Sequence, residues 1–151
     1  MARAARDVSG TRDAVATMLH GHAQRLTPTR QRIVDVLAGA AGPLTIPEIL
    51  AAGRGLAQSS VYRNLVVLEE AGVVHRVVTT DDFARYELDE DLTEHHHHLV
   101  CSNCGRVEDL PATPAVEKSV AAAVEQAARR AGFRTQHHRL DLVGVCAQCG
   151  S

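Results

Sequence analysis

The chain has 151 residues, of which 45% are hydrophobic and 23% charged, and its formal net charge is −2. This composition is typical of a globular protein and excludes a disordered or fibrous chain. No apolar run approaches the roughly 20 residues of a membrane helix, and the N-terminus lacks the apolar segment of a signal peptide. We therefore expect a cytoplasmic protein without a membrane partner, in which paired cysteines bind metal more often than they form disulfides.

Charge and metal-ligand residues are distributed unevenly along the chain. Residues 1–63 contain eight arginines and four acidic residues, whereas residues 64–151 contain eight basic and fourteen acidic residues. All four cysteines and six of the nine histidines follow residue 94. This asymmetry predicts two domains with different partners. We expect an α+β fold with a first domain at 1–88, a hinge at 89–94 and a second domain at 95–151.

The first half of the chain is predicted to form four helices and a hairpin. Apolar residues at helical spacing predict helices over 13–25, 28–38, about 46–52 and about 59–71. Thr27 and Pro28 are a helix-start signal, and Gly72 suits the end of the fourth helix. The period changes to two in residues 73–78 and 84–88, which predicts two strands of a hairpin. This order is typical of a winged helix-turn-helix; an ordinary helical bundle is the alternative.

The fourth helix carries polar side chains opposite its apolar stripe. In a winged helix this helix enters the major groove, where hydrogen-bonding side chains read base edges. Arginines near the second helix are candidates for contacts to phosphates, which set the register on the duplex. The candidate phosphate contacts are Arg25, Arg30 and Arg32, and the candidate base readers are Ser59, Ser60, Tyr62, Arg63 and Asn64.

The second half of the chain contains two C-x-x-C pairs, Cys101 with Cys104 and Cys146 with Cys149. We expect a strand at 95–107, a helix at 115–131 and a strand at 134–145, with an antiparallel return that brings the two pairs together. Four thiolates satisfy tetrahedral Zn²⁺ without an open position, which indicates a structural zinc site. Two disulfides or a redox-active pair are the alternatives.

Four consecutive histidines, His95 to His98, directly precede the first C-x-x-C pair. Alternate side chains of a strand face opposite ways, so His95 and His97 share one face and His96 and His98 share the other. The run therefore offers two ligands to each of two metal sites; a polar strand facing solvent is the alternative. The remaining ligands must come from elsewhere, and the candidates are His75, Glu87, Asp89, Glu117, His137 and His138.

Four motifs occur in a characteristic order: Arg25-Leu-Thr-Pro-Thr-Arg30-Gln-Arg32, Ser60-Val-Tyr-Arg-Asn-Leu65, Glu69-Glu-Ala-Gly-Val-Val74, and the histidine run with C-x-x-C-G. Over roughly residues 14 to 150 the chain thereby resembles the ferric uptake regulator family of bacterial metal-dependent repressors. The resemblance implies a winged helix joined to an α/β dimerisation domain with a four-cysteine zinc site. It also implies a homodimer that binds palindromic operators of metal-uptake genes in double-stranded DNA when a metal closes the dimer.

The resemblance also implies three metal sites. Cys101, Cys104, Cys146 and Cys149 match a structural zinc site. His96 and His98, with His75 and with Glu87 or Asp89, match a regulatory site between the domains. His95, His97, Glu117 and His138 match a third site in the dimerisation domain.

Three positions bear on the sensed metal. Leu44 stands where many iron-type members have a ligand histidine, and His75 matches a ligand of zinc-type members, which favours the zinc uptake regulator branch and regulatory Zn(II). Asp89, where zinc-type members often have cysteine, points the other way, so Fe(II), Ni(II) and Mn(II) stay open. An iron-, nickel- or peroxide-sensing relative is the alternative within the family. Outside it, the alternatives are a zinc store and a metallohydrolase with Glu87 or Glu117 as general base.

Overall fold

The computed structural model describes residues 8–79 and 81–150. Contacts between residues divide the chain into two compact units, of which the first ends at Glu94 and the second begins at His95. No helix in the described part of the chain is long and apolar enough to cross a membrane.

The first unit is a helical domain with a small antiparallel sheet. Its sheet has the strand order β1-β3-β2, and β2 and β3 form the predicted hairpin. This arrangement of helices followed by a hairpin is the winged helix expected from the sequence. The elements are α1 (Val8–Gly21), α2 (Pro28–Ala38), β1 (Leu44–Thr45), α3 (Ile46–Ala52), α4 (Gln58–Glu70), β2 (Val74–Val77), β3 (Arg85–Leu88) and a 3-10 turn (Glu90–Leu92).

The apolar core of the first unit is made by its helices and its hairpin. One cluster joins fully buried side chains of α1, α2, α3, α4 and β3, among them Leu19, Ile33, Ile49, Leu65 and Leu88. Each such side chain contributes about 1.5–3 kcal/mol when it is removed from water. The core therefore holds α4 in a fixed orientation, with the residues opposite its apolar stripe exposed.

Helix α1 ends four residues earlier than the sequence predicts. Ala23 adopts a left-handed conformation with φ 56°, and the N–H groups of Ala23 and Gln24 donate to the carbonyl oxygens of His20 and Leu19. This is the Schellman arrangement that commonly ends a helix, usually with glycine at the left-handed position. Because alanine occupies that position here, the glycine that usually marks it is absent from the sequence at residue 23.

The second unit is a three-stranded sheet with one helix. Its elements are β4 (His96–Cys101), β5 (Val107–Pro111), α5 (Pro114–Arg130) and β6 (Asp141–Gly144), and the strand order is β5-β4-β6. The single strand predicted at 95–107 is wrong, because the chain turns after Cys101 through Gly105, which has φ 72°, and returns as β5. Of the strand predicted at 134–145, only Asp141–Gly144 forms a strand.

The expected antiparallel return of the last strand is also wrong. Strand β6 pairs with β4 in parallel, with Cys101 opposite Gly144. Antiparallel β5 already returns the chain to the starting end of β4, with Pro111 opposite His96, and α5 with the segment after it connects that end to the start of β6. The parallel register places the ends of β4 and β6 side by side. The two C-x-x-C pairs follow these ends and meet there.

The second unit has little apolar core of its own. The buried side chains among its described residues are His96, His97, His98, Val100 and Cys101, and none belongs to α5 or β6. Leu142, Val143 and Val145 are instead exposed. The hydrophobic effect within one chain therefore contributes less to this unit than to the first.

Candidate metal centres and DNA-binding surface

The four cysteines lie together at the ends of β4 and β6. Their sulfur atoms all lie within 4.8 Å of one another, and Cys104 Sγ is 3.9 Å from Cys146 Sγ. Tetrahedral zinc with bonds of about 2.3 Å separates its sulfur ligands by about 3.8 Å. All four thiols are free, so the geometry fits the predicted zinc site and shows neither alternative disulfide.

Backbone N–H groups point at the sulfur of Cys101. The Cys146 N–H donates to it at 3.3 Å, and backbone N–H groups of Cys146, Cys104 and Asn103 lower the pKa of Cys101 to about 6. These donors stabilise the thiolate, which is the form that binds a metal. The ends of β4 and β6 and the turns after them therefore supply the thiolate ligands. The same turns supply backbone N–H groups that offset part of the negative charge of Cys101.

A second cluster lies on one face of β4, where three imidazoles surround the carboxylate of Glu117 on α5. His97 Nε2 is 2.6 Å from Glu117 Oε1, and His95 Nε2 and His138 Nε2 are each 3.3 Å from Glu117 Oε2. Burial raises the pKa of Glu117, but the His97 hydrogen bond and the neighbouring histidines lower it overall. The structure thus brings together all four residues proposed for the third site, in a donor set that zinc accepts.

The opposite face of β4 presents His96 and His98. Their rings are 5.1 Å apart, and together with Asp109 of β5 they offer ligand atoms within 4.8 Å of one another. Sequence reasoning missed Asp109. Its position opposite His98 in the β4–β5 pair depends on the turn after Cys101, which was not predicted either.

The first unit contributes a second set of ligand residues on its hairpin. His75 on β2 lies opposite Glu87 on β3. His75 Nε2 is 2.6 Å from Glu87 Oε1, and His75 Nδ1 is 3.7 Å from Asp89 Oδ2. Glu87 is buried. The structure therefore brings together all three residues proposed from this unit, with the carboxylates of Glu87 and Asp89 beside the His75 ring.

The candidate DNA-binding residues of α4 fall into two groups. Ser59, Tyr62 and Arg63 are exposed, with Tyr62 52% accessible, whereas Ser60 and Asn64 are half-buried. Asn64 forms hydrogen bonds within the unit. The first group is therefore available to a duplex, and the second is engaged with its own domain.

The remaining candidate residues differ in their exposure and packing. Arg25 and Arg32 are exposed, and Arg30 is half-buried. Leu44 packs against the core of the first unit. His137 is exposed and belongs to none of the ligand clusters found among the described residues, which agrees with the preference for His138 in the third site.

A winged helix with an exposed polar recognition helix, in one chain with a unit that gathers several metal-ligand clusters, defines a metal-responsive DNA-binding regulator. The sequence profile described as the ferric uptake regulator family matches residues 22–143, and the chain belongs to this family. Proteins of this family are dimeric transcription regulators and not enzymes, which removes the metallohydrolase alternative.

The similar proteins include relatives named for peroxide regulation and relatives named for ferric uptake. The chain is 34% identical over 130 residues to the peroxide operon regulator of Bacillus subtilis, covering 83% of each protein. It is 32% identical over 146 residues to the ferric uptake regulation protein of the same species, covering 91% of this chain and 93% of the relative. The structure of the Helicobacter pylori ferric uptake regulator has a TM-score of 0.77 at 23% identity and covers 100% of this chain and 98% of that one. These comparisons establish the family and the fold, and they assign no single metal to the chain.

Proposed function

We propose that the protein is a homodimeric repressor in which Zn²⁺, bound between the two units, fixes the DNA-binding units at the spacing of a palindromic operator of metal-uptake genes. One observation carries this proposal: each unit presents a partial set of ligands. The first offers His75 with Glu87, and the second offers His96, His98 and Asp109. An ion that takes ligands from both units favours the conformation in which both sets reach it.

In this proposal Glu87, not Asp89, is the carboxylate ligand from the first unit. Glu87 is buried and meets His75 Nε2 at 2.6 Å, whereas the Asp89 side chain is 35% exposed and lies 3.7 Å from the other ring nitrogen. Asp89 also accepts a hydrogen bond from the Asp91 N–H at the start of the 3-10 turn. Asp89 then acts as the outer carboxylate that orients the His75 ring.

The ligand types support zinc when four of them bind. Three imidazoles and one carboxylate form a nitrogen-rich set that suits tetrahedral Zn²⁺. Leu44 supports the same choice, since it packs in the core and supplies no further imidazole. Asp109 as an additional ligand would favour the larger, oxygen-rich coordination shells of Fe²⁺ or Mn²⁺.

Closure of the dimer requires only a moderate energy difference. Two DNA-binding units engage two half-sites only at a fixed separation. Shifting the dimer from mostly open to mostly closed requires about 5 kcal/mol of preferential metal binding to the closed form. This is less than the roughly 10 kcal/mol available from a four-ligand zinc site.

Operator binding measured during stepwise metal removal tests the proposal. A duplex is selected from a randomised pool with the zinc-loaded protein, and its affinity is measured as a chelator removes metal while elemental analysis follows the zinc content. We expect affinity to fall when the regulatory zinc leaves and the cysteine-bound zinc stays. Unchanged affinity at that point would overturn the proposal.

Peroxide sensing with Fe²⁺ is the second candidate, and two observations favour it. The chain shares 34% identity with a peroxide operon regulator, and Asp109 adds a carboxylate beside His96 and His98. Such a sensor would oxidise a ligand histidine. Mass spectrometry after treatment with Fe²⁺ and hydrogen peroxide would show one added oxygen on His96 or His98, and zinc-loaded protein treated in the same way is the control.

A further inference from the structure

Recognition helix α4 has two polar faces with different surroundings. Ser59, Tyr62 and Arg63 are exposed, whereas Asn64 lies toward α2 and contacts Arg30. Arg30 and Asn64 are 34 positions apart in sequence, so this contact joins the recognition helix to the element that carries a candidate phosphate contact.

Both the oxygen and the nitrogen of the Asn64 side-chain amide form hydrogen bonds within the first unit. Its Oδ1 accepts a hydrogen bond from Arg30 Nε at 3.0 Å. Its Nδ2 donates to the Ser60 carbonyl oxygen at 2.8 Å and lies 3.3 Å from Ser60 Oγ. An asparagine that reads adenine needs both its amide oxygen and its amide nitrogen for the base. In this arrangement neither end of the amide is available for that contact.

The guanidinium group of Arg30 is held on two sides. Nε donates to Asn64, and Nη1 donates to the Arg25 carbonyl oxygen at 2.6 Å. Among the described residues Nη2 has no hydrogen-bond partner. A planar guanidinium group fixed in this way presents its remaining donors in one direction, which suits contact with a phosphate oxygen.

We propose that Asn64 is a positioning residue and not a base reader: it holds Arg30 against one backbone phosphate and so sets the register at which Tyr62 and Arg63 meet the bases. The Arg30–Asn64 clamp consists of these two side chains and the carbonyl oxygens of Arg25 and Ser60. The inference rests on the proposed function, because it requires that the protein binds a duplex.

The salt dependence of operator binding distinguishes a positioning residue from a base reader. Each phosphate contact contributes about 0.9 to the slope of log affinity against log salt. We expect Asn64→Ala to reduce this slope by about 1 for each bound protomer and to weaken binding about eightfold per protomer at about 0.1 M salt. Arg30→Ala should have the same effect, and the double variant should be no weaker than Arg30→Ala alone.

The duplex is the one selected by the zinc-loaded wild type, and binding is also measured on copies with single base-pair changes. Glu70→Gln at the exposed end of α4 is the control, and tyrosine fluorescence checks that each variant is folded. If Asn64→Ala kept the wild-type salt slope and lost discrimination at one base pair, Asn64 would be a base reader. That result would overturn this inference and leave the proposed function intact. Failure of the wild type to select any duplex would overturn the proposed function and the inference together.

Discussion

At the residue scale, carboxylates determine how the histidine run is used. Glu117 receives the imidazoles of His95, His97 and His138 on one face of β4, and Asp109 lies beside His96 and His98 on the other. Side chains alternate between the two faces of a strand, as predicted from the four consecutive histidines, and this alternation accounts for the division. Asp109 was not predicted, because its side chain reaches the site only through the register of β5 against β4.

Ala23 is the residue whose replacement should stabilise the first unit. Its φ of 56° is costly for alanine and free of that cost for glycine, so Ala23→Gly should raise the free energy of unfolding by about 1 kcal/mol. Gly72 ends α4 in the same way with φ 71°, and Gly72→Ala should lower stability by a similar amount. Both tyrosines lie in the first unit and the chain has no tryptophan, so denaturation followed by tyrosine fluorescence measures this unit. If both substitutions changed the free energy of unfolding in the same direction, the left-handed conformation assigned to residue 23 or 72 would be wrong.

Asp81 should make the hairpin sensitive to acid. Its carboxylate accepts hydrogen bonds from Arg85 Nη1 and Nη2 at 2.6 and 2.8 Å, and the bonds from Arg85 and Thr79 hold its pKa far below the usual value. A lowered folded-state pKa gives stability that is fully present above about pH 4, the range of the unfolded group, and is lost as the pH falls further.

The variant Asp81→Asn tests this pH dependence. At pH 7 it should be less stable than the wild type by about 1 kcal/mol, because the charge-assisted bonds are lost. The difference should shrink below about pH 4, where the carboxylate of the unfolded wild-type chain takes up a proton while that of the folded protein stays charged. The exposed neighbour Asp82 provides the control Asp82→Asn. A stability difference that stays constant down to about pH 2 would contradict the role given to Asp81.

At the element scale, local signals predicted the helices and missed the strand connections. Thr27 caps α2 as predicted, and Gly72 ends α4 at a positive φ, because capping depends on neighbouring residues alone. The division of the predicted strand at 95–107 and the parallel direction of β6 depend on pairing between distant residues. The cysteine quartet was predicted from spacing because metal coordination requires convergence whatever route the chain takes.

Removing zinc from the cysteines should release β6. Within one chain this strand has no buried side chain, so we expect the cysteine turns at its end to hold its parallel pairing with β4. In amide hydrogen exchange we expect residues 141–144 to lose protection after chelation under reducing conditions, while α2 and α4 keep theirs. His138→Ala, which leaves the cysteines intact, is the control. Undiminished protection of β6 in zinc-free protein would contradict the structural role of the metal.

At the scale of the whole molecule, the two units differ in what stabilises them. The first has a continuous apolar core, whereas α5 and β6 of the second have no buried residue within one chain. Leu142 and Val143 on β6 and Val145 after it are exposed and apolar. An edge strand that exposes several apolar side chains is typical of a subunit interface. Dimerisation, which characterises the family, would supply the missing core.

A charge on the edge strand should therefore prevent dimerisation. Val143 is 61% exposed, so Val143→Lys costs the isolated chain little, but it would bury a charge in an interface. We expect sedimentation to show a monomer and the operator affinity to fall at least tenfold, because a monomer engages one half-site. Glu70→Lys, an exposed charge change in the first unit, is the control for sedimentation. A dimer that persists in Val143→Lys would place the interface elsewhere.

The coupling between the two ligand sets is the central claim. The most direct measurement compares the zinc dependence of operator affinity in wild type, Glu87→Ala, His96→Ala and the double variant, with His137→Ala as control. If one ion is held by both units, zinc raises wild-type affinity at least tenfold, each single variant loses that response, and the double variant loses no more. A Glu87→Ala protein that responds to zinc as the wild type does would contradict the account.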